Sequence, residues 1–476
     1  MNTLVVLHRW LGIGFCLLFA MWFASGIVMH FVPFPQLAEA DRFAGLPPID
    51  LSLVRHGPDE AVAASHAGDV RSVRLLQRAD GPVYVVSSAA RPPALHAADL
   101  SDASVKSDQL ALDIARAHAR QRGLDVSRAV LAGLADYDQW SVPNGFDKHR
   151  PLYRVALRNP AGTELYVSSK TGEIVLATGR TERAWNYLGS VAHWIYPTIL
   201  RRHATIWSEV VWTVSLMALT AAIAGAVLGL ARLHVADRRL QTPFRGWHAW
   251  HHILGLLTAT FVLTWIFSGW LSMDNGLLFS RGQLTDAEAG KVTTTLDWKA
   301  LANQGQVTAS AREVEWFSLG KQFYRRERSG PDAQSIFRIG SREARPFLSA
   351  SEVGTFVHLI NPDCTAPAPV DPHDNYAMAS QVPGAPVYRS VCGDVWFHID
   401  GGTGAMLERM DPSRRSYRWF YTGLHTLDFP MLLDHPLLRS ALIVVLCALG
   451  FAFSVTGAVI GWRRLRLQFA SRSEPI

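Results

Sequence analysis

Charge is scarce in this sequence: 18% of its 476 residues are charged, against about 25% in a typical soluble domain. Cysteine is scarcer, with four in the whole chain and no Cys-x-x-Cys pair, which excludes a disulfide scaffold and a thiol redox motif. There is no phosphate-cradling glycine loop, nucleophile elbow, His-Glu-x-x-His run or dinucleotide fingerprint. Those absences remove nucleotide hydrolysis, serine-type acyl transfer, zinc proteolysis and nicotinamide chemistry. Basic residues exceed acidic ones by only six. No nucleic-acid partner is needed to explain that excess.

Apolar sequence is abundant instead, at 49% of residues. Four segments reach the roughly 20 apolar residues that span a ~30 Å hydrocarbon core. They give the expected organisation: a span over 1–33, an insert over 34–204, a span over 205–232, a link over 233–246, a span over 247–274, an insert over 275–435, a span over 436–463 and a tail over 464–476. Arg232, Arg238, Arg239 and Arg245 lie at the link against Asp237, and Arg463, Arg464, Arg466 and Arg472 follow the fourth apolar run. Both groups belong on the cytoplasmic side by the positive-inside rule. Both termini are therefore expected on the inner side of the membrane, with both inserts facing out. The first apolar run is too long for the core of a signal peptide, about 7–15 residues, so it is read as a retained span.

The chain is written twice. His8-Arg9-Trp10-Leu11-Gly12 opens the first span and His251-His252-Ile253-Leu254-Gly255 the third, an offset of 251 − 8 = 243. Trp22, Ser25 and Gly26 map onto Trp265, Ser268 and Gly269 at that offset. Ala224-Gly225 matches Thr456-Gly457 at 457 − 225 = 232, and Gly172/Gly404, His193/His425 and His203/His435 share the second offset. Landmarks on a fixed offset indicate an internal duplication, here span–insert–span. Each insert reads as α+β. Residues 83–86, 152–157, 315–319 and 387–391 are strand-like, 107–122 is an amphipathic helix stopped by Gly123, and Thr171-Gly172 and Thr403-Gly404 are turns.

The duplicated histidines carry the chemistry. His8 and His251 sit at the inner ends of spans, each four residues before a glycine, which in a helix lies on the same face and leaves a flat gap. Two imidazoles from facing helices are a standard grip on a b-type haem. His248 and His252 flank His251 and compete with it. At the outer edge the candidates are His193 and His425, each followed by an aromatic-Pro pair, with His30, His203 and His435 as further contenders. Two haem b groups held by His8, His251, His193, His425 and His30 are the expectation, with haem iron as the metal. No thiolate or carboxylate at ligand spacing favours zinc or copper. Cys364 and Cys392 share the second insert, where an oxidising compartment allows a disulfide. Catalytic residues are not assigned.

Leu7-His8-Arg9-Trp10-Leu11-Gly12, the Thr-Gly turns after outer strands, and Thr456-Gly457 before Trp462-Arg463-Arg464 together make the chain resemble the PepSY-associated transmembrane proteins, also called iron-regulated or iron-uptake membrane proteins. That resemblance implies an α+β membrane protein: four transmembrane helices in a bundle with two periplasmic PepSY-like domains, internally duplicated. It also implies an inner-membrane reductase carrying two haems. Electrons from a quinol or another membrane donor would pass across the lipid bilayer to a ferric siderophore or similar metal chelate. By the resemblance, His8 and His251 serve the inner haem and His193 and His425 the outer one. The hairpin Ser168-Ser169-Lys170 departs from the family, which commonly has an acidic residue before that turn. A chelate transporter and a non-enzymatic PepSY binding or regulatory protein are the competing functions. The spans contain few charges for a transporter's polar cargo, and a regulatory protein would leave the paired histidines without a role.

Overall fold

The computed structural model describes residues 2–88, 92–236, 239–292 and 297–470. Asp237, Arg238 and Arg472, three of the charges flanking the spans, lie outside the described residues. Two compact units emerge, one from Met1–Phe34, Ala184–Phe279 and Arg415–Ile476, the other from Pro35–Arg183 and Ser280–Arg414.

The first unit is helical. Four helices, Asn2–Phe31, Ala204–Ala231, Trp247–Met273 and Pro436–Ala470, are long and apolar enough to cross a membrane. Each runs without an internal proline. The first stops before Pro33, and the fourth starts on Pro436, where the missing N–H costs nothing. Such helices satisfy their own backbone, which lipid cannot do. The first span packs on the second and fourth, and the third packs on the same two. The core between them is Phe19, Phe23, Val262, Trp265, Ile266 and Ile443. Buried Ala218, Ala221 and Ala224 on the second span allow close approach.

Strands are numbered in chain order. The first insert holds β1 (Val70–Arg78), β2 (Gly81–Ser88), β3 (Ala94–His96), β4 (Val130–Ala135), β5 (Leu152–Ala156), β6 (Glu164–Ser168) and β7 (Ile174–Thr178). The link holds β8 (His234–Ala236) and β9 (Arg239–Gln241). The second insert holds β10 (Glu313–Leu319), β11 (Gln322–Arg328), β12 (Gln334–Arg338), β13 (Ala344–Arg345), β14 (Ala368–Pro369), β15 (Val387–Cys392), β16 (Val395–Asp400) and β17 (Met406–Met410).

The α+β unit is built around a seven-stranded sheet, β13-β12-β11-β10-β1-β2-β3, drawn from both inserts. The segments read from the sequence as separate domains are thus joined by antiparallel pairing of β1 with β10. The tight hairpins β1–β2 and β10–β11 are offset by 319 − 78 = 241 residues, and at that offset Arg74 corresponds to Glu315. Those two residues are themselves partners in the β1–β10 ladder. A local two-fold therefore passes through that pair, and the duplication closes on itself there.

Each insert also keeps a four-stranded sheet, β4-β5-β6-β7 or β14-β15-β16-β17, with one helix packed on it. Helix Asp108–Gln121 starts where the Ser107 side chain accepts from Leu110 N, and Gly123 after it has φ +70°. Helix Ala350–Ile360 opens with a capping box between Ser349 and Glu352. The Thr-Gly turns are repeated in detail: Gly172 (φ +68°) donates to Ser168 O and Gly404 (φ +74°) to Asp400 O. Cys364 and Cys392 form a disulfide that ties the chain after the second helix to β15.

One buried ion cluster holds the shared sheet. Glu313 on β10 bonds Arg42 at 2.8 Å and Arg328 at 3.2 Å, while Arg74 on β1 bonds Glu173 at 2.7 Å. Burial alone would push the Glu313 carboxyl up, but Arg42, Arg74 and Arg328 outweigh it and hold it far below the usual carboxylate range. Glu173 is treated the same way by Arg74 and ends at about 2.

Candidate functional site

The helical unit brings the duplicated histidines together in two facing pairs. His8 of the first span and His251 of the third have ring centroids 6.4 Å apart, with planes at 36°. His193 and His425 have centroids 6.3 Å apart, with planes at 67°. Seventeen residues separate His8 from Ser25, against which His193 rests, and His251 from Ser268, against which His425 rests (25 − 8 and 268 − 251). That is about 25 Å of helix rise. The pairs thus sit near opposite ends of the bundle, with the aromatic core of Phe19, Phe23, Phe261 and Trp265 on the same two helices between them.

Hydrogen bonding fixes each ring. His193 Nδ1 lies 3.0 Å from Ser25 Oγ, His425 Nδ1 3.0 Å from Ser268 Oγ, and His251 Nδ1 2.9 Å from Thr456 Oγ1. All three hydroxyls donate their own proton to a carbonyl of their helix, at Met21, Trp265 and Phe453. Each hydroxyl must therefore accept from the imidazole, so the ring proton is on Nδ1. His8 Nδ1 donates to Ala221 O at 3.1 Å. The four Nε2 atoms make no hydrogen bond among the described residues. Tying Nδ1 and leaving Nε2 bare is the arrangement that prepares an imidazole for a metal.

Close packing on glycine completes each pocket. A Cβ at Gly225 would lie 2.6 Å from His8 Cε1, and one at Gly457 3.4 Å from His251 Cε1. The outer equivalents are Gly26, 3.7 Å from His193 Cε1, and Gly269, 3.4 Å from His425 Cε1. The glycines expected to matter at the inner edge were Gly12 and Gly255. Gly12 faces open space and Gly255 meets Phe453. The flat gap is made by the neighbouring helix, because an i+4 residue on the same helix lies along the imidazole's own surface rather than across from it.

His193 and His425 hang on a repeated backbone distortion. π-Helical turns at Tyr187–Val191 and Arg418–Gly423 precede them. Two residues after each, Ile195 (φ +50°) and Leu427 (φ +51°) adopt the left-handed conformation. A β-branched residue there is rare, and such strain clusters at functional sites. Nothing in the sequence marks Ile195 for that conformation.

A family model describing the PepSY-associated TM region matches residues 5–465. The chain belongs to that family. No curated protein matches it. In this PepSY-associated protein three of the other candidate histidines are hydrogen-bonded to other groups. His30 Nε2 is 2.9 Å from Ser440 Oγ on the fourth span. His252 is buried with both nitrogens used, at Thr242 Oγ1 and Gly229 O, and so fastens the link to the second span. His203 Nε2 accepts from Arg202 at 3.1 Å, and His248 and His435 are exposed.

The donor set says what the pairs can hold. Among the described residues no group of three or more His, Cys, Asp or Glu side chains surrounds a metal-sized point. Each pair offers two neutral nitrogens, which suits a metal that brings its own equatorial ligands. A metal–nitrogen bond of about 2 Å on each side, with about 1 Å from each nitrogen to its ring centre, sets two axial imidazole centroids about 6 Å apart. The separations of 6.4 and 6.3 Å meet that requirement.

Proposed function

We propose that this PepSY-associated membrane protein is a haem-bearing reductase that passes electrons across the inner membrane to a ferric siderophore or similar chelate. The observation that carries the reading is the pair of facing imidazole couples, each with Nδ1 tied down and Nε2 bare. His8 and His251 would hold an inner haem b, and His193 and His425 an outer one. Gripped by two imidazoles at each site, haem would supply one-electron transfer there. The chain's own part is to orient the rings through Ser25, Ser268, Thr456 and the Ala221 carbonyl, and to keep water out of the aromatic core between the pairs.

Electrons balance if one quinol, losing two electrons and two protons, reduces two ferric chelates by one electron each. Iron(II) is held less firmly than iron(III) by hard oxygen donors, so reduction releases the metal. Arg232 and Arg245 flanking the link and Arg463, Arg464 and Arg466 in the last turns of the fourth helix support cytoplasmic termini and outward inserts. The deciding experiment is an optical spectrum of the detergent-purified protein, oxidised and then dithionite-reduced, with haem counted against protein. About two haems per chain with sharp reduced bands are expected. A colourless protein overturns the proposal.

A further inference from the structure

The two halves of the duplication differ in what stacks on the imidazoles. His251 is stacked on Phe453, with centroids 4.8 Å apart and planes at 18°. His425 is stacked on Tyr421, at 5.6 Å and 23°. At the repeat offset of 232, Phe453 corresponds to Ala221 and Tyr421 to Gly189. Neither can stack on an imidazole. Ala221 gives His8 a carbonyl instead. Gly189 sits at φ −90°, ψ −105°, where a Cβ would come 2.9 Å from Val28 Cγ1. A ring at position 189 is sterically excluded, so the asymmetry is built into the backbone.

We propose that Phe453 and Tyr421 are positioning residues that clamp the second-repeat imidazoles, holding the inner pair at the smaller tilt of 36° and the outer pair nearer to crossed at 67°. The inference rests on the haem reading above and adds that the two sites are electronically inequivalent. Crossed axial imidazoles leave the iron's two π-bonding d orbitals nearly equal in energy, whereas rings closer to parallel split them. Axial-ligand orientation is among the levers a protein has over haem. At 67° the outer pair lies nearer the crossed limit than the inner pair at 36°.

The test is low-temperature electron paramagnetic resonance on the full-length ferric protein, with haem counted in the same samples. Two low-spin signals are expected, one of the large-gmax type and one rhombic. In His8→Ala the rhombic signal should vanish and the large-gmax signal stay. Tyr421→Leu should move the outer signal towards the rhombic type, Tyr421→Phe should retain it, and Phe453→Leu should alter the inner signal alone. A protein with two haems but one class of signal overturns the inference, as does an outer signal indifferent to Tyr421→Leu. Should Tyr421→Leu lose its outer haem, the wild-type spectrum and the Phe453→Leu variant still decide. A protein without haem fails the earlier proposal, and that outcome is separable from the others by colour.

Discussion

Gly225→Ala is the sharpest perturbation that the helical unit offers. The added methyl would lie 2.6 Å from His8 Cε1, 3.1 Å from Nδ1 and 3.5 Å from Nε2. Carbon atoms rest comfortably at about 3.5–4.0 Å, so the ring must retreat by about 1 Å. It has little room to do so, because Nδ1 is bonded to Ala221 O, one turn away on the same helix as Gly225. Overpacking of this kind costs about 1–3 kcal/mol, or about 5- to 150-fold in an equilibrium constant. The helix itself should gain, since alanine is favoured over glycine in a helix interior by about 1 kcal/mol. Loss of the inner site with a net stability loss of no more than about 2 kcal/mol is therefore the expected signature. Haem titration of the purified variant should fall from about two equivalents to about one, while Gly26→Ala, with 3.7 Å of clearance, should keep both. Gly457→Ala, at 3.4 Å, should fall between them. A Gly225→Ala protein with full haem content and an unchanged spectrum would refute the reasoning.

Acid should loosen the α+β unit through His118 and His398, both buried and both lowered to about 4 by burial first and by neighbouring arginines second. The unfolded chain takes up these protons near pH 6.5 and the folded one does not, so stability is full above that pH. It should fall by about 3 kcal/mol per pH unit on acidification towards 4, read as a drop in unfolding temperature in detergent; an unfolding temperature flat from pH 7 to 5 would count against it. Removing the Cys364–Cys392 bridge, whose partners are 28 residues apart, should cost about 3–4 kcal/mol by loop closure, measured by denaturant unfolding of the Cys364→Ser, Cys392→Ser variant. Glu313→Gln removes the buried carboxylate that Arg42 and Arg328 share and leaves both paired only to Glu39. A loss of about 1.5–3 kcal/mol is expected for the lost charge-assisted hydrogen bonds, and a neutral result would mean that solvent reaches the cluster.

The sequence was most legible where a physical rule has a long reach. Four apolar runs became four helices, since a bilayer allows apolar segments of that length few other structures. Thr171-Gly172 and Thr403-Gly404 became equivalent turns because a positive φ selects glycine. Ser25-Gly26, Ser268-Gly269 and Thr456-Gly457 were visible as repeat landmarks, yet their work, a hydroxyl for Nδ1 and a bare surface for the ring, was not. A repeat shows that a residue matters in both halves and is silent on what it faces.

What the sequence determined by itself is the class of molecule and its duplication: spans, inserts, and histidines recurring at fixed offsets. These follow from composition and periodicity, which act locally along the chain. Only the tertiary structure decided that the inserts share one sheet through β1 and β10, that His30 turns to Ser440, and that Gly225 rather than Gly12 makes room for His8. Each of these depends on which surfaces meet across separations of some 200 residues or more, from His8 to Gly225 and from Arg74 to Glu315. Contact between helices and strands is set by packing in three dimensions, and no local pattern encodes it.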